Sequence, residues 1–257
     1  MDLGLAGKTV IVTGGSKGIG SGISEVFAEE GANLIVNYRS DKEGSEAFVK
    51  SLTDRFNCKA AAVQADVGYE ADVRRIFDFA IEQYGQLDIL INNAGKGITT
   101  LLQDVELEEW EQGLRDNMTG MFLMSREFAR RVIPQKRRGW IVNILSKASL
   151  TTTTMGRAVY VSNKTGEMGL TKQLAVELTQ HGIHVNGVMP GSVLSSRSLE
   201  ARQRDPAAFE ARARRSPLKR FGTPVELGQM VAFLASERAV LAVGSIVDMT
   251  GGMLLGF

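Results

Sequence analysis

The sequence predicts an α/β protein, a single domain over residues 1–257 built on a parallel sheet of about seven strands with helices on both faces. Short apolar runs bounded by turn residues alternate with longer runs of helical period. No repeat, linker or low-complexity stretch divides the chain. The first strand-like run also breaks into a glycine-rich turn that opens a helix, the arrangement with which such sheets begin.

Strands are expected at Val10 to Thr13, Leu34 to Val36, Ala60 to Val63, Leu87 to Ile91, Trp140 to Leu145, His184 to Met189 and Ile246 to Asp248. Their near-continuous apolar character is that of parallel strands covered on both sides. Helices are expected at Ile19 to Glu30, Lys42 to Phe56, Ala71 to Tyr84, Leu107 to Ile133, Arg157 to Gln180 and Pro224 to Leu234. In a sheet wound this way ligands bind at the carboxyl ends of the strands, so functional residues should follow strands directly.

The first such place is Thr13-Gly14-Gly15-Ser16-Lys17-Gly18-Ile19-Gly20. Glycines at 14, 18 and 20 allow a tight turn and let the backbone approach a pyrophosphate at the N-terminus of the next helix. Three glycines at fixed spacing are a weak signal alone; the strand before and the helix after give them weight.

The second place is Val159-Tyr160-Val161-Ser162-Asn163-Lys164. On a helix Tyr160 and Lys164 share a face. A phenol has a reference pKa of about 10, and a neighbouring ammonium moves a phenol toward proton exchange at neutral pH, the equipment of a carbonyl reductase or alcohol dehydrogenase.

Composition limits the alternatives. Thirty basic against twenty-nine acidic residues give a net charge of +1, so no general nucleic-acid binder is indicated. Cys58 is alone, which excludes an internal disulfide framework, and two histidines, His181 and His184, suggest no metal cluster. Met1 to Gly7 lacks the features of a signal peptide and no apolar run nears the ~20 residues of a membrane span, so a cytoplasmic protein is expected.

Taken together these residues resemble the short-chain dehydrogenase/reductase family over nearly the whole chain, with a likeness to its 3-oxoacyl carrier-protein reductases. Thr13-Gly14-x-x-x-Gly18-Ile19-Gly20 resembles the family's cofactor turn, Asp66-Val67 its adenine contact, Asn92-Asn93-Ala94-Gly95 its mid-sheet motif and Pro190-Gly191 its segment after the sixth strand. Asn117, Ser146, Tyr160 and Lys164 match its catalytic tetrad in order. The resemblance implies a Rossmann-like sheet, a nicotinamide cofactor and a homotetramer. It implies that Tyr160 is the acid/base, that Ser146 holds the reacting oxygen, that Lys164 binds the nicotinamide ribose and that Asn117 supports a water relay. Without it, Asn117 would read as a polar group capping a helix irregularity. The cofactor-binding set it implies comprises Gly14, Ser16, Lys17, Gly18, Ile19, Gly20, Tyr38, Arg39, Ser40, Asp66, Val67, Asn93, Ala94, Gly95, Tyr160, Lys164, Pro190, Gly191, Val193 and Ser195.

The chain departs from the family pattern in three places. Ser146 lies fourteen residues before Tyr160, one more than is usual, with Ser149 as the alternative serine. Ser195 stands where a threonine usually meets the nicotinamide amide, and Val247-Asp248-Met249-Thr250-Gly251-Gly252 is longer than the common form.

After the second strand Tyr38 occupies the place of the acid that favours NAD, Arg39 follows, and Lys17 lies in the glycine turn, so NADP(H) is expected over NAD(H). Residues 192–221 are expected to form a lid loop over the substrate. The lid carries eight basic residues, Arg197, Arg202, Arg204, Arg212, Arg214, Arg215, Lys219 and Arg220, against Glu200, Asp205 and Glu210. An anionic substrate such as a thioester of coenzyme A or a carrier protein and a merely solvated helix face both account for this run, and the same holds for Arg130, Arg131, Lys136, Arg137 and Arg138. Ketones, sugars, steroids and acyl thioesters all remain as substrates, and a non-catalytic nucleotide-binding protein is the rival reading. Apolar residues on several faces of the helices at 107–133 and 157–180, with the tail Met253-Leu254-Leu255-Gly256-Phe257, support a homotetramer.

Overall fold

Parallel strands need a crossover of a dozen or more residues between them, and the chain supplies a helix in each interval. The computed structural model describes residues 1–152 and 154–255, apart from the side chains of Ser196 and Arg197; the readings that touched Thr153, the Arg197 charge, Gly256 and Phe257 lie outside the described residues. In chain order the elements are β1 (Thr9–Val12), α1 (Gly18–Glu29), β2 (Asn33–Tyr38), α2 (Lys42–Arg55), β3 (Lys59–Gln64), α3 (Glu70–Tyr84) and β4 (Ile89–Asn92). Then come α4 (Leu107–Leu114), α5 (Gly120–Val132), β5 (Gly139–Ile144), α6 (Ala158–Leu178), β6 (Ile183–Pro190), α7 (Ser196–Arg204), α8 (Pro206–Ala213), α9 (Pro224–Leu234) and β7 (Ile246–Met249). The seven strands are all parallel in the order β3-β2-β1-β4-β5-β6-β7. The order reverses between β1 and β4, where Val10 lies opposite Ile89 and Val12 opposite Ile91, and a crevice opens there at the carboxyl ends.

Strand alternation divides the core between the two faces of the sheet. Val10, Val12, Leu34, Val36, Ile89, Ile91, Trp140 and Val142 pack with Ile23, Phe27 and Val231 of α1 and α9. Ile11, Ile35, Leu90 and Ile141 face the other way, onto Ile76, Phe77, Met124 and Phe128 of α3 and α5. Every strand expected from the sequence is present, the bounds shifted by two residues or fewer.

Two expectations are corrected. The single helix expected over 107–133 is interrupted by a π-helical turn at Arg115–Thr119 between α4 and α5. There the Asn117 amide donates to the carbonyls of Gly113 (2.9 Å) and Lys96 (3.1 Å), the latter in a separate loop. The expected lid loop at 192–221 is largely helical. Ser195 caps α7 in a reciprocal pair with Ser198, and Asp205 caps α8 ahead of Pro206 at its first turn. This flap has a narrow neck: Val193 bridges to Gly222, the Leu194 N–H donates to the Gly222 carbonyl at 2.9 Å, and the Gly222 N–H donates to the Ser192 carbonyl at 2.9 Å.

Candidate active site

A cleft of about 750 Å³ runs along the carboxyl ends of the strands, within the range of small-molecule sites. Its phosphate end is the glycine turn. Gly14 has φ +60°, which a Cβ would strain, and a Cβ on Gly20 would meet the Gly14 carbonyl oxygen at 2.2 Å, so residue 20 must be glycine for the turn to close. The Thr13 hydroxyl accepts from the N–H groups of Asn93 and Ala94, both at 2.9 Å, and the Asn93 amide donates to the carbonyls of Thr13 (2.9 Å) and Gly14 (3.2 Å). The loops after β1 and β4 are thereby laced together. The N-cap residue of α1, Lys17, makes no side-chain capping bond, which leaves the first N–H groups of the helix for an anion. A cradle of this kind, continuing past Arg39, Asp66 and Val67, fits a long dinucleotide with its pyrophosphate at the turn.

Both cations expected at the ribose end already hold carboxylates. Lys17 Nζ lies 2.6 Å from Asp41, a well-exposed pair, and Arg39 Nη1 donates to the buried Asp116 at 2.9 Å with Asp66 at 3.9 Å. Nη2 and Nε of Arg39 have no hydrogen-bond partner among the described residues.

At the opposite end Ser146, Tyr160 and Lys164 line the same cleft. Ser146 lies two residues past the end of β5, and its Oγ accepts the Ala148 N–H at 3.2 Å. The alternative, Ser149, is buried outside the cleft lining and donates to the Lys164 carbonyl at 2.8 Å, fastening the loop to α6. Tyr160 is half-buried with the Arg157 guanidinium 5.0 Å from its ring centre. The buried Lys164 ammonium donates to the Ile144 carbonyl at 3.1 Å and pairs with Glu167 at 2.7 Å. Burial pushes the Glu167 carboxyl above the usual carboxylate range, against the opposing pull of the Lys164 charge. Asn117 sits behind this wall: its Oδ1 accepts the Lys96 N–H at 3.2 Å, and a Cβ on Gly95 would lie 2.8 Å from that Oδ1 and 3.7 Å from Lys164 Nζ.

Gly14, Lys17, Gly18, Ile19, Arg39, Asp66, Val67, Asn93, Ala94, Gly95, Pro190, Gly191, Val193 and Ser195 also line the cleft; Ser16, Gly20, Tyr38, Ser40 and Asn117 do not. The Ser16 hydroxyl accepts from Ser45 at 2.8 Å. Tyr38 is buried because strand alternation turns it away from the face shared by Asn37 and Arg39, both of which line the cleft. Ser195, besides lining the cleft, caps α7, so its hydroxyl already accepts the Ser198 N–H at 3.2 Å.

Sequence reasoning missed Glu167, Asp116, Arg157 and the particular role of Arg212. An i, i+3 Lys–Glu spacing was the only signal for Glu167, and it reads equally as a solvated pair. The five basic residues at 130–138 are mostly paired within the chain: Arg130 and Arg131 with Glu127, Arg137 with Asp88, and Arg138 with Glu237. Among the described residues no group of acidic, histidine or cysteine side chains could hold a metal, and no helix is long and apolar enough to cross a membrane.

The family model described as enoyl-(acyl carrier protein) reductase matches residues 14–254. The chain is 36% identical to 3beta-hydroxysteroid dehydrogenase 1 of Eggerthella lenta, over 98% of this chain and 95% of the relative. It is 35% identical to the 3-oxoacyl-[acyl-carrier-protein] reductase of Staphylococcus epidermidis, over 96% of this chain and 99% of the relative. Among solved structures, L-sorbose reductase of Gluconobacter frateurii, complexed with NADPH and L-sorbose, superposes with a TM-score of 0.92 at 28% identity, covering 100% of both chains. A seven-stranded parallel Rossmann-like sheet and a match across nearly the full length make this chain a member of the short-chain dehydrogenase/reductase family, oxidoreductases of alcohols and ketones.

Proposed function

We propose that the protein is an NADP(H)-dependent oxidoreductase that interconverts a ketone and a secondary alcohol, with Tyr160 as its acid/base. The observation that carries this reading is the convergence of Ser146, Tyr160 and Lys164 on one cleft whose far end is the glycine turn. A bound nicotinamide supplies or accepts the hydride. Tyr160 gives its phenolic proton to the substrate oxygen in reduction and takes the hydroxyl proton in oxidation. Ser146 hydrogen-bonds that oxygen and fixes its distance from the phenol. Lys164 has three N–H donors, two of them engaged by Ile144 and Glu167, which leaves one for a ribose hydroxyl or a water. Asn117 acts as a positioning residue that ties the π-turn to the Gly95-Lys96 loop, with the second lone pair of its Oδ1 available to a relay water.

Preference for NADP(H) is supported by the open edge of the Arg39 guanidinium, which lines the cleft beside the neutral Asn37. The exposed Lys17–Asp41 pair is worth little, so a 2′-phosphate competes with Asp41 at small cost. The L-sorbose reductase is described with NADPH, which agrees. The flap acts as the substrate lid, and the protein works as a cytoplasmic homotetramer. For substrates, the relatives span steroids, sugars and 3-oxoacyl thioesters.

The test is loss of NADPH absorbance against a panel of keto sugars, β-ketoacyl thioesters, α-diketones and steroids, with Tyr160→Phe as the control. Removing the acid should cost on the order of 10² to 10⁴ in kcat while the fold and cofactor affinity survive. A variant keeping more than about a tenth of wild-type kcat would exclude Tyr160 as the acid. Tight cofactor binding with no turnover of any member would favour a non-catalytic nucleotide-binding protein.

A further inference from the structure

Six basic residues line the cleft, and they fall into two groups, Lys96 joining the one without a carboxylate partner among the described residues. Lys17, Arg39 and Lys164 each hold a carboxylate. Arg157 and Arg212 line the same cleft, and neither makes an ion pair with an acidic residue among the described residues. Arg157 donates only to neutral acceptors, the Ile98 carbonyl at 3.2 Å and the Thr99 hydroxyl at 3.1 Å, and its guanidinium lies over the Tyr160 ring. Arg212, projecting from α8 of the flap, donates to the Ser192 hydroxyl at 3.4 Å and lies 5.6 Å from the centre of the Phe221 ring. That ring stacks on Phe209 with centroids 4.4 Å apart, so an aromatic pair within the flap backs the guanidinium. The two charges sense each other: partial burial first, then Arg157 and Arg215, hold the Arg212 pKa below its ordinary value. Two guanidinium groups on one cleft, one half-buried and one exposed, with no carboxylate partner among the described residues, offer their forks to an anion from outside.

We infer that Arg157 and Arg212 form an oxyanion-binding subsite beside Tyr160, and that the substrate is a small hydroxy or keto compound bearing a carboxylate or phosphate at the flap end. This deepens the proposed function and rests on it, since it takes Tyr160 to face the reacting carbon. Arginine suits the task because its planar fork matches both oxyanions, and the two residues reach the site from separate elements, the start of α6 and the flap. Arg202, Arg204, Arg214, Arg215, Lys219 and Arg220 of the flap do not line this cleft, and of these Arg214 pairs with Glu210 and Arg220 with Glu226. The flap's general positive charge therefore does not define the site. One flap arginine does, and only together with Arg157.

The experiment compares kcat/KM of the wild-type enzyme with NADP+ on skeletons matched except for charge: D-gluconate and glucitol 6-phosphate against D-glucitol, and 3-hydroxybutyrate against 2-butanol. The anionic member of each set should be favoured at least tenfold, and the carboxylate and phosphate arms show which oxyanion is taken. Arg157→Gln and Arg212→Gln should each lower the anionic-to-neutral ratio by roughly tenfold to a hundredfold, the weight of one hydrogen bond to a charged group, and Arg212→Lys should restore part of it. The ratio is the readout, so a general loss of activity does not mimic the effect. Calorimetric titration of gluconate and of glucitol into the enzyme with NADP+ reads the same site without turnover. Equal kcat/KM for charged and neutral members, an equal loss of both in the variants, or a raised KM for the cofactor alone would overturn the inference, the last by assigning the arginines to the cofactor phosphates. If nothing is turned over yet gluconate binds and Arg212→Gln abolishes it, the catalytic reading falls and the oxyanion subsite stands.

Discussion

Glu167→Gln removes the carboxylate beside Lys164 and leaves a side chain of nearly the same shape. In the wild type both members of the pair are buried, with the Lys164 side chain 7% and the Glu167 side chain 1% exposed. Deleting one partner of such a pair strands the other charge, which typically costs about 3 to 5 kcal/mol. The lower end applies here, because Lys164 keeps its 3.1 Å bond to the Ile144 carbonyl and the glutamine amide oxygen can still accept from the ammonium. At roughly 2 to 4 °C per kcal/mol for a chain of this size, about 3 kcal/mol lowers Tm by roughly 6 to 12 °C. Thermal unfolding followed by circular dichroism measures it. The matching double variant Lys164→Met with Glu167→Leu should regain most of that loss while remaining without turnover, since apolar replacement of a buried pair is often neutral. A shift below about 2 °C for Glu167→Gln, or a double variant no more stable than the single one, would show that the carboxylate does not balance the ammonium.

Three further outcomes are expected. Arg39→Leu should weaken NADPH by about tenfold while NADH changes little, since a 2′-phosphate gains the open edge of the guanidinium and a ribose hydroxyl does not; equal kcat/KM for the two cofactors in the wild type would refute the assignment. The pKa of Glu226 is held down at about 2, chiefly by Arg220 and then by the Thr223 N–H. A depressed carboxylate stabilises the fold above its unfolded value near ~4.3 and loses that contribution as pH falls toward 2. The Tm difference between wild type and Glu226→Gln should therefore be larger at pH 7 than at pH 3.5, and a pH-independent difference would remove the pair as its cause. Light scattering at micromolar concentration should give four times the 27.9 kDa chain mass. Phe122, Val176, Leu241 and Leu255 are exposed apolar residues that an assembly would cover, and a monomeric mass would contradict the tetramer.

The strands were legible because a parallel strand buried on both faces has one composition, and runs such as Leu34 to Val36 admit little else. The π-turn was not, because nothing local separates Leu107 to Ile133 from one long helix; the break depends on Asn117 reaching the Lys96 carbonyl, far away in sequence. For Asn117 the two sequence readings meet, since the residue that closes the irregularity is also the one that steadies the loop beside Lys164. The helical flap was recoverable: Ser195 three residues before Ser198, and Asp205 ahead of Pro206, are cap signals that the density of charge obscured. Tyr38 shows the opposite limit. Its place was read from the motif alone, but a side chain's direction follows the pleat, and the pleat carries Asn37 and Arg39 into the cleft instead.

The neck at Val193 and Gly222 makes the flap a separable cassette. Both ends of the segment meet at one bridged point, and beyond it the flap is fastened to the body near its C-terminal end, where the Ser216 hydroxyl donates to the Gly251 carbonyl at 2.8 Å and Arg220 pairs with Glu226. Closing a longer loop costs only about 0.6 kcal/mol per doubling, so descendants of this chain can lengthen or recompose the helical part of the flap ahead of Ser216 at little thermodynamic risk. The wall formed by Ser146 after β5 and by Tyr160 and Lys164 on α6 would remain untouched. If the flap is the substrate lid proposed above, substrate range can evolve by exchange of one contiguous stretch of gene, and a chimera cut between Leu194 and Gly222 is the natural graft by which to test it.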